Sequence, residues 1–307
     1  MTSQAPIELS VTLSQLHALG SVAGALHLHQ LLNRTKQNIG ELSGPAIGRG
    51  LEFREVRAYQ AGDDLRHLDW KITARLGEPY TRVFHEEHQR PVVFFVDLAS
   101  QLQFGQAGSK AVLAAKVAAV LGWSVLQDKD RVGAWIETDQ QSYWQPPLRQ
   151  SRDFAPLLAR LASITQNLGK LQPRATGRLD QALEAFTQGL PKDSLLVLIS
   201  DWVGWTDSSL IKHLSARGPL LLVHLTDPLD QHLPSNAGSV VLQGKVQPVT
   251  KALQEAWQEA YLQRVKALKA AVGRQASYLE LSTSQQQNWL KTLLPTVSYS
   301  ETTGFNL

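Results

Sequence analysis

From Pro91 onward, continuous apolar runs that end on an acid alternate with stretches of helical periodicity. Val92-Val93-Phe94-Phe95-Val96 stops at Asp97, and residues 195–199 stop at Ser200-Asp201. A strand with no polar alternation must be covered on both faces, and a parallel sheet with helices on either side covers it. Ser109 can cap a helix running to about Gln127, after which Arg131–Glu137 returns as a strand. Residues 141–144 and 220–225 read as further strands, and 154–164, 179–186 and 208–215 as helices. Lys251–Ala271 is a long amphipathic helix, 278–281 a last strand and 284–293 a final helix. This alternation predicts an α/β fold with a doubly wound, mostly parallel, Rossmann-like sheet and right-handed crossovers, spanning about 91–293. Residues 239–249, with Gly244 at their centre, read as a hairpin on the sheet's edge.

The first 90 residues are organised differently. Apolar positions in 12–33 recur with a helical rhythm, and 40–50 is rich in Gly and Pro. Residues 48–75 then carry eleven formal charges around Phe53, Tyr59 and Trp70. Arg49, Arg54, Arg57, Arg66, Lys71 and Arg75 stand against Glu52, Glu55, Asp63, Asp64 and Asp69. Such balance suits an interlocked Arg–carboxylate network and does not suit a phosphate backbone, which needs excess positive charge. The pattern predicts a small α+β module, with a strand over 53–59, a turn at 61–63, a helix over 65–75 and a strand over 81–85. Three segments follow: 1–90 with the N-terminal helix and the charged module, 91–293 with the sheet, and a tail at 294–307.

Composition excludes several functions. The chain has 307 residues and no cysteine, so neither a disulfide nor a thiolate metal site can form. The net charge of +3 is too mild to predict a nucleic-acid partner. The opening residues lack a basic region followed by an apolar core, and the apolar stretch 111–126 is broken by Lys116. No secretory signal and no membrane insertion are expected, so the cytoplasm is the expected compartment, with membrane proteins met only peripherally. There is no G-x-x-x-x-G-K-[S/T] loop, no G-x-S-x-G elbow and no G-x-G-x-x-G turn. His85-Glu86-Glu87-His88 places its histidines three apart, where a zinc protease helix needs four.

The order R-G-x-E-F-x-x-x-R-x-Y-x-x-G-D-D-x-R-x-x-D-W-x-x-x-A-R over residues 49–75 resembles the signature of the bacterial DUF58 family. The resemblance implies a von Willebrand factor A-like (vWA-like) domain working beside a MoxR-type AAA+ ATPase, with no established catalysis. In vWA domains a D-x-S-x-S loop, a threonine and a second aspartate gather Mg²⁺ at the carboxyl end of the sheet. Here the first loop reads Asp97-Leu98-Ala99-Ser100-Gln101, with both hydroxyl positions changed and Ser100 one residue out of phase. Gly177 stands where the threonine belongs, with Thr176 beside it and Arg178 adding positive charge. The set Asp97, Ser100, Gln101, Thr176 and Asp201 is thus a degenerate metal site, and no cofactor is expected. Asp97 and Asp201 are expected to cap strand ends or to pair with Arg178 or a signature arginine.

The reading that follows is a non-catalytic adaptor or assembly factor acting with a MoxR-type ATPase on an unknown client protein. Arg54, Arg57, Tyr59, Asp63, Asp64, Arg66, Asp69, Trp70 and Arg75 would organise the signature module or its contact surface. Trp202 and Trp205, which follow a strand end, are candidate interface anchors, with Trp202 folding back into the site as the other option. The sequence Asp227-Pro228-Leu229-Asp230 reads as a turn that redirects the chain. Two rivals remain: a Mg²⁺-dependent ligand binder using Asp97, Ser100 and Asp201, and a hydrolase with an unrecognised site.

Overall fold

A computed structural model of the chain describes residues 8–28, 30–32, 55–60, 68–83, 90–170, 177–234, 238–242, 245–272 and 276–293. The chain divides into two compact units, residues 42–89 and residues 1–41 together with 90–307.

The larger unit begins with two short helices, α1 (Leu13–Ala18) and α2 (Gly20–Ala23). One continuous helix was expected here, but the helical segment is interrupted at Leu19 and again after Ala23. Thr12 starts it through a capping box with Gln15, which satisfies two of the amide donors exposed at a helix start. The sequence groups this segment with the signature module, whereas residues 8–32 pack onto the helices of the sheet unit. Leu16, Leu19, Leu26 and Leu31 join that unit's core. The Trp123 indole donates to the Leu16 carbonyl at 3.2 Å, and Lys116 pairs with Glu8 at 2.6 Å.

In the smaller unit, β1 (Glu55–Ala58) pairs antiparallel with β2 (Tyr80–Val83), and α3 (Trp70–Leu76) lies between them in sequence. The helix was expected to start at residue 65. Leu68, however, is bridged to Thr81, and Asp69 caps the helix by accepting from the amides of Lys71 and Ile72, each at 3.1 Å. Gly77, at φ 77°, ends it in the left-handed conformation that favours glycine.

The sheet unit continues with β3 (Pro91–Asp97), α4 (Lys110–Gln127), β4 (Arg131–Glu137), β5 (Ser142–Leu148), α5 (Ser151–Asn167), α6 (Arg178–Gln188), β6 (Leu195–Ser200), α7 (Ser208–Arg217), β7 (Leu220–Thr226) and the single-turn α8 (Pro228–Gln231). After β8 (Ser239–Leu242) and β9 (Lys245–Pro248) come α9 (Lys251–Ala271), β10 (Ala276–Ser282) and α10 (Trp289–Leu293). Six strands form one sheet in the order β10-β7-β6-β3-β4-β5, parallel throughout except for β5. This is the mixed α/β, mostly parallel, Rossmann-like architecture expected from the alternation.

Three details depart from expectation. β5 is an antiparallel edge strand that runs to Leu148 through Pro146 and Pro147, and such residues are tolerated only where a strand's amides need no partner. The hairpin β8–β9 is a separate two-stranded sheet and does not extend the main one. The segment before α10 is a 3₁₀ helix, Thr283–Asn288, so the final helix is split.

Helices cover both faces of the sheet. Val92, Phe94 and Val96 face a core shared with α4 and α5, and Val93 and Phe95 face one shared with α6 and α7. Helix α4 is buried along nearly its whole length, which accounts for its apolar composition. Gly122 allows its close approach to α5, since a Cβ there would lie 2.3 Å from the Phe154 ring. The chain leaves β3 towards β4 on one side and returns as β6 on the other, so the strand order reverses at β3. The carboxyl ends of β3 and β6 therefore flank the switch point, the usual binding edge of such sheets.

Candidate functional site at the switch point of the sheet

Asp97 ends β3 and Asp201 follows β6; both are buried. The Asp97 carboxylate accepts from the Ser200 hydroxyl at 2.7 Å and from the Ala99 amide at 3.2 Å. Asp201 accepts from the Val203 amide at 3.0 Å and from the Gln101 side chain at 3.1 Å. Gln101 also donates to the Val203 carbonyl, so it ties the loop after β3 to the loop after β6. Ser100 is held through its amide, which donates to Asp139 at 2.7 Å.

The second oxygen of Asp201 is taken by Lys110, the first residue of α4, whose ammonium lies 2.9 Å away. The same ammonium reaches both oxygens of Asp230, at 2.9 and 3.1 Å. Lys110 is 2% exposed. A cation at a helix N-terminus opposes the helix dipole, and burial adds a desolvation cost, so only close anions can keep it charged there. Burial alone would lower its pKa, but Asp201 and Asp230 more than reverse that and hold it above the ordinary lysine value. Burial pushes the Asp230 carboxyl up, against the pull of Lys110.

Asp227 and Asp230 form the other side of this cluster. Asp227 is buried and accepts from the amides of Gln106, Ala107 and Leu229 and from the Thr283 hydroxyl. Asp230 in turn accepts from the Asp227 amide at 2.8 Å. The Asp227-Pro228-Leu229-Asp230 segment does turn the chain, through a capping box on α8. It is also the hub that fixes the loop at 105–107 and one end of the lysine.

The donor set does not fit the divalent ion implied by the resemblance. Such an ion needs several oxygens at about 2.0–2.6 Å, and the two expected acids already hold Lys110, Ser200 and backbone amides. Thr176 lies outside the described residues. Asp97 and Asp201 cap their strand ends through the Ala99 and Val203 amides, the first of the two roles expected for them; Arg178, expected otherwise to pair with them, instead donates its Nε to Glu137 at 2.8 Å. Glu137 is fully buried and also accepts from Trp135 and Ser142.

Trp202 folds inward and is completely buried, which corrects its reading as an interface anchor. Its φ of 58° is an uncommon conformation for a bulky residue, and its neighbours hold it there. Its amide donates to Ser200 Oγ and its indole to the Val223 carbonyl, with the Trp205 ring packed edge-on at 6.2 Å. Trp205 is half-buried and donates to the Asp207 carbonyl. The loop after β3 instead offers Phe104, 57% exposed, which carried no signal in a glutamine-rich stretch.

A second polar centre lies deeper on β7. His224 Nδ1 is 2.7 Å from the Tyr278 hydroxyl, which donates to Glu280, as does the Tyr261 hydroxyl. Burial, with nearby Arg264 next, lowers the His224 pKa to about 3. Burial and then Glu280 raise both phenols, Tyr261 to about 12 and Tyr278 further.

Among the signature residues, Arg54, Asp63, Asp64 and Arg66 lie outside the described residues. Arg57 is in β1 opposite Thr81, and the half-buried Tyr59 donates its amide to the Pro79 carbonyl. Asp69 is buried as the helix cap, while Trp70 is 70% exposed and Arg75, five residues on in α3, is exposed as well.

Uncharacterized protein Rv1480 of Mycobacterium tuberculosis and uncharacterized protein Mb1516 of Mycobacterium bovis are each 29% identical to this chain over 242 residues, covering 76% of it and 74% of themselves. A solved structure, an uncharacterized membrane spanning protein from Vibrio fischeri, is 15% identical over 67% of this chain and 96% of its own, with a TM-score of 0.18. The model of a family described as Protein of unknown function DUF58 matches residues 55–271. With that match running over more than half of its length, the chain belongs to the DUF58 family.

Proposed function

We propose that the chain is a non-catalytic adaptor that binds a protein partner, a MoxR-type AAA+ ATPase, and presents or recognises a client for it in the cytoplasm. One observation carries the binding part of this reading. The acids at the switch point are matched by donors of the chain itself, and the loop above them turns Phe104 outward. A site set up for acid–base or metal chemistry keeps a carboxylate aimed at solvent or substrate, whereas an exposed aromatic on a pinned loop suits protein contact. The ATPase as partner, and the vWA-like character of the sheet unit, rest on the resemblance of the signature at 49–75.

The test is retention of the purified chain by the MoxR-type ATPase encoded in the same genome, with and without ATP. Retention in at least one nucleotide state is the expected result, and it should survive EDTA. Phe104→Asp should weaken it while leaving the thermal midpoint unchanged. No retention in either state overturns the proposal, and retention lost with EDTA returns the Mg²⁺-dependent reading.

A further inference from the structure

We infer that Lys110 is the resident cation of the switch-point site: its ammonium, supplied by the chain, takes Asp201, one of the two acids expected to hold a divalent ion, and locks three loops together. The loops are the one before α4, which ends at Lys110, the one after β6, which carries Asp201, and the turn after β7, which carries Asp230. The separations of 2.9 to 3.1 Å are those of charge-assisted N–H···O bonds and are too long for a coordinated Mg²⁺ or Ca²⁺ ion. Lys110, Asp201 and Asp230 are each at most 7% exposed, so the cluster is part of the interior and not a surface ion pair. The ammonium is tethered to α4 by its own side chain, so the arrangement of this edge does not follow divalent-ion concentration. The inference concerns the isolated chain and does not depend on any partner.

Thermal unfolding of the full chain and its variants tests it. The wild-type midpoint should not change with EDTA, Mg²⁺ or Mn²⁺. Lys110→Met keeps the stem and removes the charge, taking the ammonium away from two buried carboxylates; its midpoint should fall by about 10 °C. Adding Asp230→Asn to it restores the net charge of the cluster and should recover much of that loss. Lys110→Ala removes the side chain beyond Cβ, which propylammonium supplies. The amine should raise the midpoint of Lys110→Ala and leave wild type and Lys110→Met unmoved. If Lys110→Met does not fold alone, recovery of folding in the double variant supports the inference, and failure to recover overturns it. A Lys110→Met midpoint equal to wild type overturns it, as does a folded Lys110→Ala that ignores the amine. Saturable Mg²⁺ or Mn²⁺ binding to wild type that Asp97→Ala abolishes overturns it as well.

Discussion

Two buried polar centres on the same sheet treat charge in opposite ways. Lys110 stays charged because two carboxylates touch its ammonium, and the attraction outweighs the cost of burial. His224 stays neutral because burial penalises its charged form and Arg264 and Lys110 add to that against the pull of Asp201, while its side-chain partner is only a phenol. Both side chains are almost fully buried, so burial does not explain the difference. What decides is whether an anion lies within hydrogen-bonding distance. An interior can hold an ion at the switch point and refuse one a few residues back along β7.

The largest break in this comparison comes from removing an anion. Asp201→Ala strips Lys110 of one partner and also removes an acceptor from Gln101 and from the Val203 amide, so it should cost about 3–5 kcal/mol in denaturant unfolding. The same variant should lose its stability at lower alkaline pH than wild type. A lysine held above its usual pKa contributes fully below about 10.5, and that contribution disappears as pH rises through the higher folded value.

On the acid side the sign reverses for His224. Its folded pKa of about 3 lies below the unfolded value, so the unfolded chain takes the proton first and stability falls as pH drops below 6.5. By pH 5 the loss should be about 2 kcal/mol, on linkage for one proton. His224→Gln, which cannot titrate, should flatten the unfolding profile between pH 6.5 and 5. An unchanged slope in that variant would place the acid sensitivity elsewhere.

These two centres also mark the limit of what the residues disclose in order. The apolar runs ending at Asp97 and Asp201 disclose the strands, the parallel sheet and the edge where the order reverses, because burial on both faces leaves a local imprint. Lys110 leaves none. It follows the cap residue Ser109, where a lysine reads as a solvated helix start, and its partner Asp230 is 120 residues away. Asp227 and Asp230 read as turn formers because capping is a local property, whereas their hold on residues 105–107 and Lys110 is tertiary. Trp202 offered two readings, surface anchor or plug, and only the packing around Ser200 and Val223 selects the second. One signal was available: a lysine opening a helix that is apolar but for Lys116 over its next three turns must reach either solvent or an acid.

Two further pairs sharpen the comparison by grading exposure. Arg178 is 31% exposed at the side chain, while its partner Glu137 is fully buried. Arg178→Ala leaves Glu137 with its bonds from Trp135 and Ser142, so the loss should be about 1–2 kcal/mol, short of that at Asp201. Lys251 and Glu255, 3.8 Å apart on α9, are 89% and 69% exposed. Water already solvates both, so Lys251→Ala should leave the unfolding midpoint unchanged within error. The series Asp201, Arg178, Lys251 should therefore rank by the burial of the charged side chain removed, which is 2%, 31% and 89% exposed. If Lys251→Ala proves as costly as Arg178→Ala, burial is not the quantity that sets the strength of these pairs. The contrast between Lys110 and His224 would then need a different cause.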